Sequence, residues 1–197
     1  ASDVYKRQLP HPNRTCRIKN ANEERILELA SENLRRLRRV LEWNADRNIE
    51  LFRISSDTIP FGSHPVNTAP WWEELSEQFE DLGTYIQEQK LRVSMHPGQF
   101  TVLNSLTPDV VRSSLAEIEY HTRFLDTLAV GDDAKIIVHI GGVYGDKEAS
   151  LERFAENFEK LTPRSRRRLI IENDERSYSL ADVLTLSARI RTPIVFD

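Results

Sequence analysis

Strands and helices alternate from residue 49 to the end of this chain, and that alternation constrains the fold more than any other feature. Apolar runs rich in Ile, Leu, Val and Phe fall at 49–55, 91–96, 135–140, 169–172 and 193–197. A near-continuous apolar run is typical of a strand covered on both faces. Strands that alternate with helices form parallel sheets through right-handed crossovers. The pattern predicts an α/β protein, either a doubly wound sheet or part of a (β/α)₈ barrel, and periodicity does not separate the two.

Helical periodicity fills the segments between these runs, with apolar residues recurring at spacings of three and four. Helices are predicted from Asn22, from Pro70, from Pro108, across 151–161 and from Ser179. Thr107 before Pro108 is a typical N-cap, and Ser179 with Asp182 resembles a capping box. Four arginines before the strand at 169 are predicted to be solvated loop charge; they are Arg164, Arg166, Arg167 and Arg168.

Composition and absent motifs exclude several classes of protein. The net charge of −4 provides no overall attraction for nucleic acid, whose binding proteins are usually basic. One cysteine cannot form an internal disulfide, and no apolar run approaches the roughly 20 residues that span a bilayer. We therefore expect a cytoplasmic protein with no membrane partner. No strand is followed by the glycine-rich motif of dinucleotide-binding or P-loop proteins, or by a nucleophile elbow.

The start of the chain differs from the rest. Residues 1–12 show no periodicity, and Pro10 and Pro12 discourage regular structure. We expect 1–12 to be an irregular segment outside the fold, and 13–197 to form one incomplete α/β domain.

Metal-capable side chains recur at or just beyond the ends of the five predicted strands. They are His64, His96, His139, Glu172 and Asp197. Because the carboxyl ends of parallel strands meet at one face of the sheet, these side chains are expected to converge there. Three imidazoles and two carboxylates suit Zn²⁺, Mn²⁺ or Fe²⁺. Metals at such a site could support either phosphodiester hydrolysis or aldose–ketose isomerisation.

The stretch 94–100 adds an amide and an aromatic ring next to the predicted site. Pro97 and Gly98 should end the strand, which leaves Gln99 and Phe100 on the following loop. An exposed aromatic beside an amide can wedge into a base stack and hydrogen-bond to base edges. The alternative is that Phe100 packs against the neighbouring helix. A probing loop favours DNA over a sugar, because an isomerase needs a small closed pocket.

Several motifs together resemble those of the UV damage endonucleases. The matching segments, in the order of that family, are 51–54 with 59–65, 94–99, 138–145, 171–174 and 193–197. The resemblance implies a TIM-type (β/α)₈ barrel, which is incomplete here with five strands visible. It also implies a multi-metal site that commonly holds Mn²⁺, with Mg²⁺, Co²⁺ and Zn²⁺ as alternatives. His64, His96, His139, Glu172 and Asp197 match the metal-ligand positions, through which they would be catalytic. Gln99 and Phe100 match the pair that probes the lesion.

The resemblance also implies an activity and a partner. Family members nick double-stranded DNA immediately 5′ to cyclobutane pyrimidine dimers and 6–4 photoproducts. We expect a monomer that repairs damaged DNA in the cytoplasm, associated with the nucleoid in a bacterium. Two alternatives stay open: a metal-dependent sugar isomerase or epimerase on the same type of barrel, and a module that binds DNA or protein without cleaving it.

The family pattern extends beyond both ends of this chain. It begins with a strand before Asn13 and continues after Asp197 with paired histidines, further His and Glu ligands and an active-site lysine. The resemblance therefore implies that the first strand and about three C-terminal βα units are missing, so that the barrel cannot close. Because exposed edges of a buried sheet favour aggregation, we expect the chain alone to be inactive or unstable.

Overall fold

The computed structural model describes residues 13–174 and 176–196, so the predicted irregular segment 1–12 lies outside the described residues. The described chain forms two compact units. The first comprises residues 13–93 and 124–130, and the second comprises the remainder. Across the part of the chain that is described, no helix has both the length and the apolar character to cross a membrane.

The long helix of the first unit, α1 (Glu23–Ala45), begins where the sequence predicts. The side chain of Asn22 accepts a hydrogen bond from the backbone N–H of Arg25 at 2.9 Å, which satisfies one of the otherwise unpaired donors of the first turn. Apolar side chains at spacings of three and four form its buried face: Ile26, Leu29, Ala30, Leu34, Leu37 and Leu41. Strand β1 (Leu51–Ile54) follows this helix.

The next helical segment differs from the prediction of one helix from Pro70. It forms two helices, α2 (Trp71–Glu74) and α3 (Ser76–Glu88), which meet at Leu75. The ring centroids of Trp71 and Phe79 lie 5.6 Å apart. Eight residues of a straight helix would separate them by about 12 Å along the axis. The break at Leu75 therefore brings both rings into one buried cluster with Phe124.

Four further strands are β2 (Arg92–Met95), β3 (Lys135–His139), β4 (Leu169–Glu172) and β5 (Ile194–Val195). The sheet order is β1-β2-β3-β4-β5, and the pairs from β2 to β5 are parallel. The central strand β3 buries Ile136, Ile137 and Val138 in succession, and because successive side chains point to opposite faces, both faces of the strand are covered. The predicted α/β fold with parallel strands is confirmed.

Helices α4 (Pro108–Thr127) and α5 (Lys147–Phe158) follow β2 and β3. Helix α7 (Leu180–Ile190) precedes β5, and its capping box is confirmed. The hydroxyl of Ser179 accepts from the backbone N–H of Asp182, and the carboxylate of Asp182 accepts from the backbone N–H of Ser179. Two unpaired donors are thus satisfied at one helix start.

The prediction of a loop is wrong, because these residues form a short helix, α6 (Pro163–Arg168), although Arg164 and Arg167 are exposed to solvent as predicted. Thr162 caps it by accepting from the backbone N–H of Ser165, and Pro163 occupies the first turn. Arg168 is buried, and its Nη1 donates to the carbonyl oxygens of Gly131 and Ala134. Thr162-Pro163 repeats the threonine–proline signal of 107–108, so local sequence contained the information that the arginine pattern obscured.

Candidate metal centre at the strand ends

Three side chains from the ends of consecutive strands meet in the second unit. His96 directly follows β2, while His139 and Glu172 are the last residues of β3 and β4. Glu172 Oε1 lies 2.7 Å from His96 Nε2 and 3.0 Å from His139 Nε2. The register of the sheet accounts for the second contact, because His139 and Glu172 are opposite residues of neighbouring strands. One candidate ligand atom from each residue lies within 4.8 Å of the others, a span compatible with a shared metal ion.

The hydrogen bonds of His96 show which of its nitrogens faces the cluster as a ligand. Its Nδ1 lies 2.8 Å from the carbonyl oxygen of Pro97. A carbonyl oxygen only accepts, so Nδ1 carries a proton, and in the neutral ring Nε2 carries a lone pair. That lone pair faces a carboxylate oxygen of Glu172, which is unfavourable unless a proton or a cation lies between them. The geometry therefore suits either a proton shared by the pair or a cation bound between them.

Exposure rises in steps across the three side chains. Glu172 is 4% exposed, His96 18% and His139 44%. The carboxylate is thus held inside the protein, while the imidazole of His139 borders solvent. Catalytic metal sites keep coordination positions open to water or substrate, whereas structural sites are closed by protein ligands. The cluster has the open form.

The donor set indicates which metals the residues can hold. Two imidazole nitrogens suit Zn²⁺ and Fe²⁺, and carboxylate oxygen suits Mg²⁺ and Mn²⁺. The histidine Nδ1–H bond to a backbone carbonyl is the arrangement that orients metal-bound imidazoles in general. His96, His139 and Glu172 therefore fit a divalent cation.

The other two predicted ligands are not part of this trio. His64 belongs to the first unit, where its Nδ1 accepts a hydrogen bond from the backbone N–H of Val66 at 3.0 Å. With Nδ1 as acceptor, the neutral ring carries its proton on Nε2, so metal binding through Nε2 requires that hydrogen bond to break. Asp197 lies outside the described residues. Both assignments stay predictions.

The predicted probing pair lies on the loop after the cluster. Strand β2 ends at Met95, and a turn closes with the backbone N–H of Thr101 donating to Gly98 O at 2.9 Å. Gln99 is exposed, and Phe100 is 81% exposed. The alternative that Phe100 packs against the neighbouring helix is therefore wrong. The ring of Phe100 is therefore accessible to a binding partner.

The loop after His139 is fixed by residues that the sequence did not reveal. The carbonyl oxygen of Gly142 accepts from Asn104 Nδ2 at 2.8 Å and from the Tyr178 hydroxyl at 2.9 Å. Tyr178 is fully buried, and this burial raises the pKa of its hydroxyl. A Cβ at Gly141 would lie 2.4 Å from Asn104 Oδ1, so only glycine fits there. In the sequence, the paired glycines 141–142 indicate that the backbone approaches a neighbour closely. They do not identify Asn104 and Tyr178 as the residues that bind the loop.

The chain matches known proteins in both sequence and structure. A model of the family described as UV-endonuclease UvdE matches residues 9–197. The chain belongs to the UvdE family. The UV DNA damage endonuclease of Clostridium perfringens strain 13 is 49% identical over 185 residues, which are 94% of this chain and 45% of that protein. The enzyme of the same name from Bacillus cereus strain Q1 is 34% identical over 179 residues, 91% of this chain and 56% of that protein.

This UvdE-family chain thus spans about half the length of the relatives that it matches. Among solved structures, that of SacUVDE aligns with a TM-score of 0.92 and 43% identity, over 98% of this chain and 66% of that one. D-psicose 3-epimerase from Clostridium cellulolyticum H10 aligns with a TM-score of 0.54 at 14% identity, over 80% of this chain and 55% of that one. The second match concerns the fold alone, and both agree with the predicted partial TIM-type α/β fold.

Proposed function

We propose that this chain is part of a metal-dependent DNA repair endonuclease. The proposed enzyme nicks double-stranded DNA immediately 5′ to UV photolesions, namely cyclobutane pyrimidine dimers and 6–4 photoproducts. The observation that carries the proposal is the open cluster of His96, His139 and Glu172 in a chain of the UvdE family. A monomer in the cytoplasm, associated with the nucleoid in a bacterium, fits the proposal.

His96, His139 and Glu172 would hold the metal, with His64 and Asp197 as further proposed ligands. We infer Mn²⁺ as the main metal, with Mg²⁺, Co²⁺ and Zn²⁺ as alternatives. A bound divalent metal supplies hydroxide near neutral pH and neutralises charge on a phosphoryl group. The buried carboxylate of Glu172 provides the negative charge that retains a cation. The backbone carbonyl of Pro97 holds His96 in the tautomer that directs a lone pair at that cation.

Gln99 and Phe100 would read the damaged site. Phe100 presents almost its whole side chain to solvent, four residues after His96. A wedge of this kind enters a base stack most readily where the stack is already weakened, because unstacking costs about a few kcal/mol per step. A photolesion weakens stacking, so the inserted ring would favour damaged over intact DNA. The amide of Gln99 would hydrogen-bond to the base edges that become accessible.

The sugar-isomerase alternative has less support. An enzyme that isomerises a small sugar encloses it, whereas His139 is half-exposed and Phe100 is nearly fully exposed. The epimerase neighbour shares the fold at an identity that carries no function.

The test uses the whole protein of which this chain is proposed to be part, because the chain alone is expected to be inactive. It compares metal content and nicking of UV-irradiated supercoiled plasmid with Mn²⁺ present. His96→Ala and Glu172→Ala should lose bound metal by elemental analysis and lose nicking, whereas the wild-type protein nicks irradiated plasmid and spares unirradiated plasmid. Glu117→Gln is a matched control, because Glu117 also borders a buried histidine, His121, away from the cluster. Unchanged metal stoichiometry in both cluster variants would remove the basis for the proposal. Damage-specific binding without cleavage would instead favour the binding module.

A further inference from the structure

Tyr144 lies on the loop that leaves His139, and its backbone conformation is unusual. Its φ of 51° falls in the left-handed region, where residues with a Cβ are uncommon and strain is stored mainly at functional sites. The ring lies directly on Gly142, where an added Cβ would be 2.9 Å from both Cε2 and Cζ of Tyr144. The ring is nevertheless 44% exposed. The fold therefore holds an aromatic ring at the surface in a fixed position.

A positive charge is fixed behind this ring. The guanidinium carbon of Arg153, on α5, lies 5.5 Å from the centroid of the Tyr144 ring. Arg153 Nε donates to the carbonyl oxygen of Asn104 at 3.1 Å, and Nη2 donates to Ser150 Oγ at 2.7 Å. Within 13–174 and 176–196, Arg153 makes no ion pair with a carboxylate. Its charge is held by neutral acceptors and remains available to an anion.

The surrounding contacts make this pair a rigid part of the second unit. Asn104 binds Arg153 through its carbonyl oxygen and Gly142 through its side-chain amide, so one residue connects the arginine and the loop. The single hydroxyl proton of Ser150 is within reach of the carbonyl oxygens of Val143 (2.6 Å) and Asp146 (2.7 Å), which lie on either side of Tyr144. A site fixed in this way binds without the cost of ordering a mobile loop.

We propose that Tyr144 and Arg153 bind the phosphodiester backbone of the nucleic acid that reaches the metal centre. Arg153 binds a phosphate, and the exposed part of the Tyr144 ring packs against the adjacent sugar or base. This inference rests on the proposed function and adds to it a contact outside both the metal cluster and the probing pair. Tyr144 is five positions after His139 in the chain, so their Cα atoms are at most about 18 Å apart. At about 3.4 Å per nucleotide along one strand, the contact falls within roughly five nucleotides of the cleaved bond.

The experiment measures nicking of a UV-irradiated duplex by the intact protein with Mn²⁺ at several KCl concentrations. Tyr144→Ala should raise KM about tenfold with kcat retained, as expected for loss of one stacking contact. Arg153→Gln should raise KM and lower the slope of log KM against log salt by about one, which is the signature of one lost phosphate contact. Arg153→Lys keeps the charge and should restore the wild-type slope.

Arg39→Gln is the matched control, because it removes an arginine charge from α1 in the first unit and should leave KM and the slope unchanged. Thermal unfolding of each variant separates lost contacts from lost folding. Wild-type protein that does not nick irradiated DNA refutes the proposed function and this inference together. This inference alone is refuted if the wild-type protein nicks irradiated DNA and either variant behaves like it. The decisive results are an unchanged salt slope in Arg153→Gln or an unchanged KM in Tyr144→Ala.

Discussion

Replacing Glu172 by Gln tests the metal centre through stability. The amide keeps the shape of the side chain and one acceptor oxygen but removes the negative charge that two imidazole nitrogens face at 2.7 and 3.0 Å. Because the Glu172 side chain is 4% exposed, solvent water cannot compensate for the lost negative charge at this position. We expect metal affinity to fall by at least about 100-fold, since changing groups that merely support a ligand already costs about 10–100-fold.

The lower metal affinity of Glu172→Gln should reduce the rise in unfolding temperature that added metal produces. A metal at 100 times its Kd stabilises the folded state by about 2.7 kcal/mol, and at its Kd by about 0.4 kcal/mol. For a protein of this size, 1 kcal/mol shifts the unfolding midpoint by about 2–4 °C. Added Mn²⁺ should therefore raise the midpoint of the wild-type protein by about 5–10 °C and that of Glu172→Gln by about 1–2 °C at the same concentration.

Calorimetry with and without Mn²⁺, and again after chelation, measures this difference. Glu117→Gln is the control, because it changes the same side chain beside a buried histidine in the same unit and should keep the full metal-dependent shift. If Glu172→Gln keeps a wild-type shift with Mn²⁺, the carboxylate is not a ligand and the reasoning fails.

Two further predictions concern stability. Gly83→Ala places a Cβ 2.0 Å from Leu128 O, so overpacking of about 1–3 kcal/mol should outweigh the gain of up to about 1 kcal/mol in helix propensity. Denaturant unfolding checks this, with Gly98→Ala, which meets nothing within 4 Å, expected to be nearly neutral. Asp182→Asn should cost about 0.5–1 kcal/mol, since the hydrogen bond from Lys147 lowers the pKa of Asp182. That stabilisation is fully present above the ordinary aspartate pKa and is lost as pH falls through the lowered pKa of Asp182 in the folded protein. Equal stability of both proteins at pH 7 would contradict the assignment.

Sequence predicted the order of elements because apolar periodicity is local. The five strands and the starts of α1 and α7 follow from runs and caps only a few residues long. The break at Leu75 was not predictable in this way, because the ring cluster at the break includes Phe124, which lies far along the chain. The helix Pro163–Arg168 was missed for a different reason: its charge pattern resembles a solvated loop, while the burial of Arg168 depends on carbonyls more than thirty residues earlier.

The candidate site was predictable where topology determines it. Parallel strands place their carboxyl ends at one edge of the sheet. The register of β3 and β4 makes His139 and Glu172 opposite residues, so two strand-end residues come into contact. Sequence could not predict Asn104 and Tyr178, because neither stands at a strand end or in a motif. Their role comes from one backbone oxygen, Gly142 O, which both side chains approach. Such convergence is a property of the folded chain and leaves no local pattern.

The net charge of −4 does not argue against the proposed DNA partner, because a net charge ignores where charges are neutralised. On the helices, carboxylates and arginines face one another, as Glu32 does with Arg36 and Glu152 with Arg189, so those charges largely cancel. Arg153 lacks such a partner among the described residues, and a bound divalent cation adds charge that the sequence count omits. Under the proposed function, a chain with negative net charge would thus offer positive charge from Arg153 and the bound cation to the DNA backbone. It follows that affinity for DNA should depend on bound metal more strongly than in a protein whose whole surface is basic, and that chelation should weaken DNA binding as well as abolish cleavage.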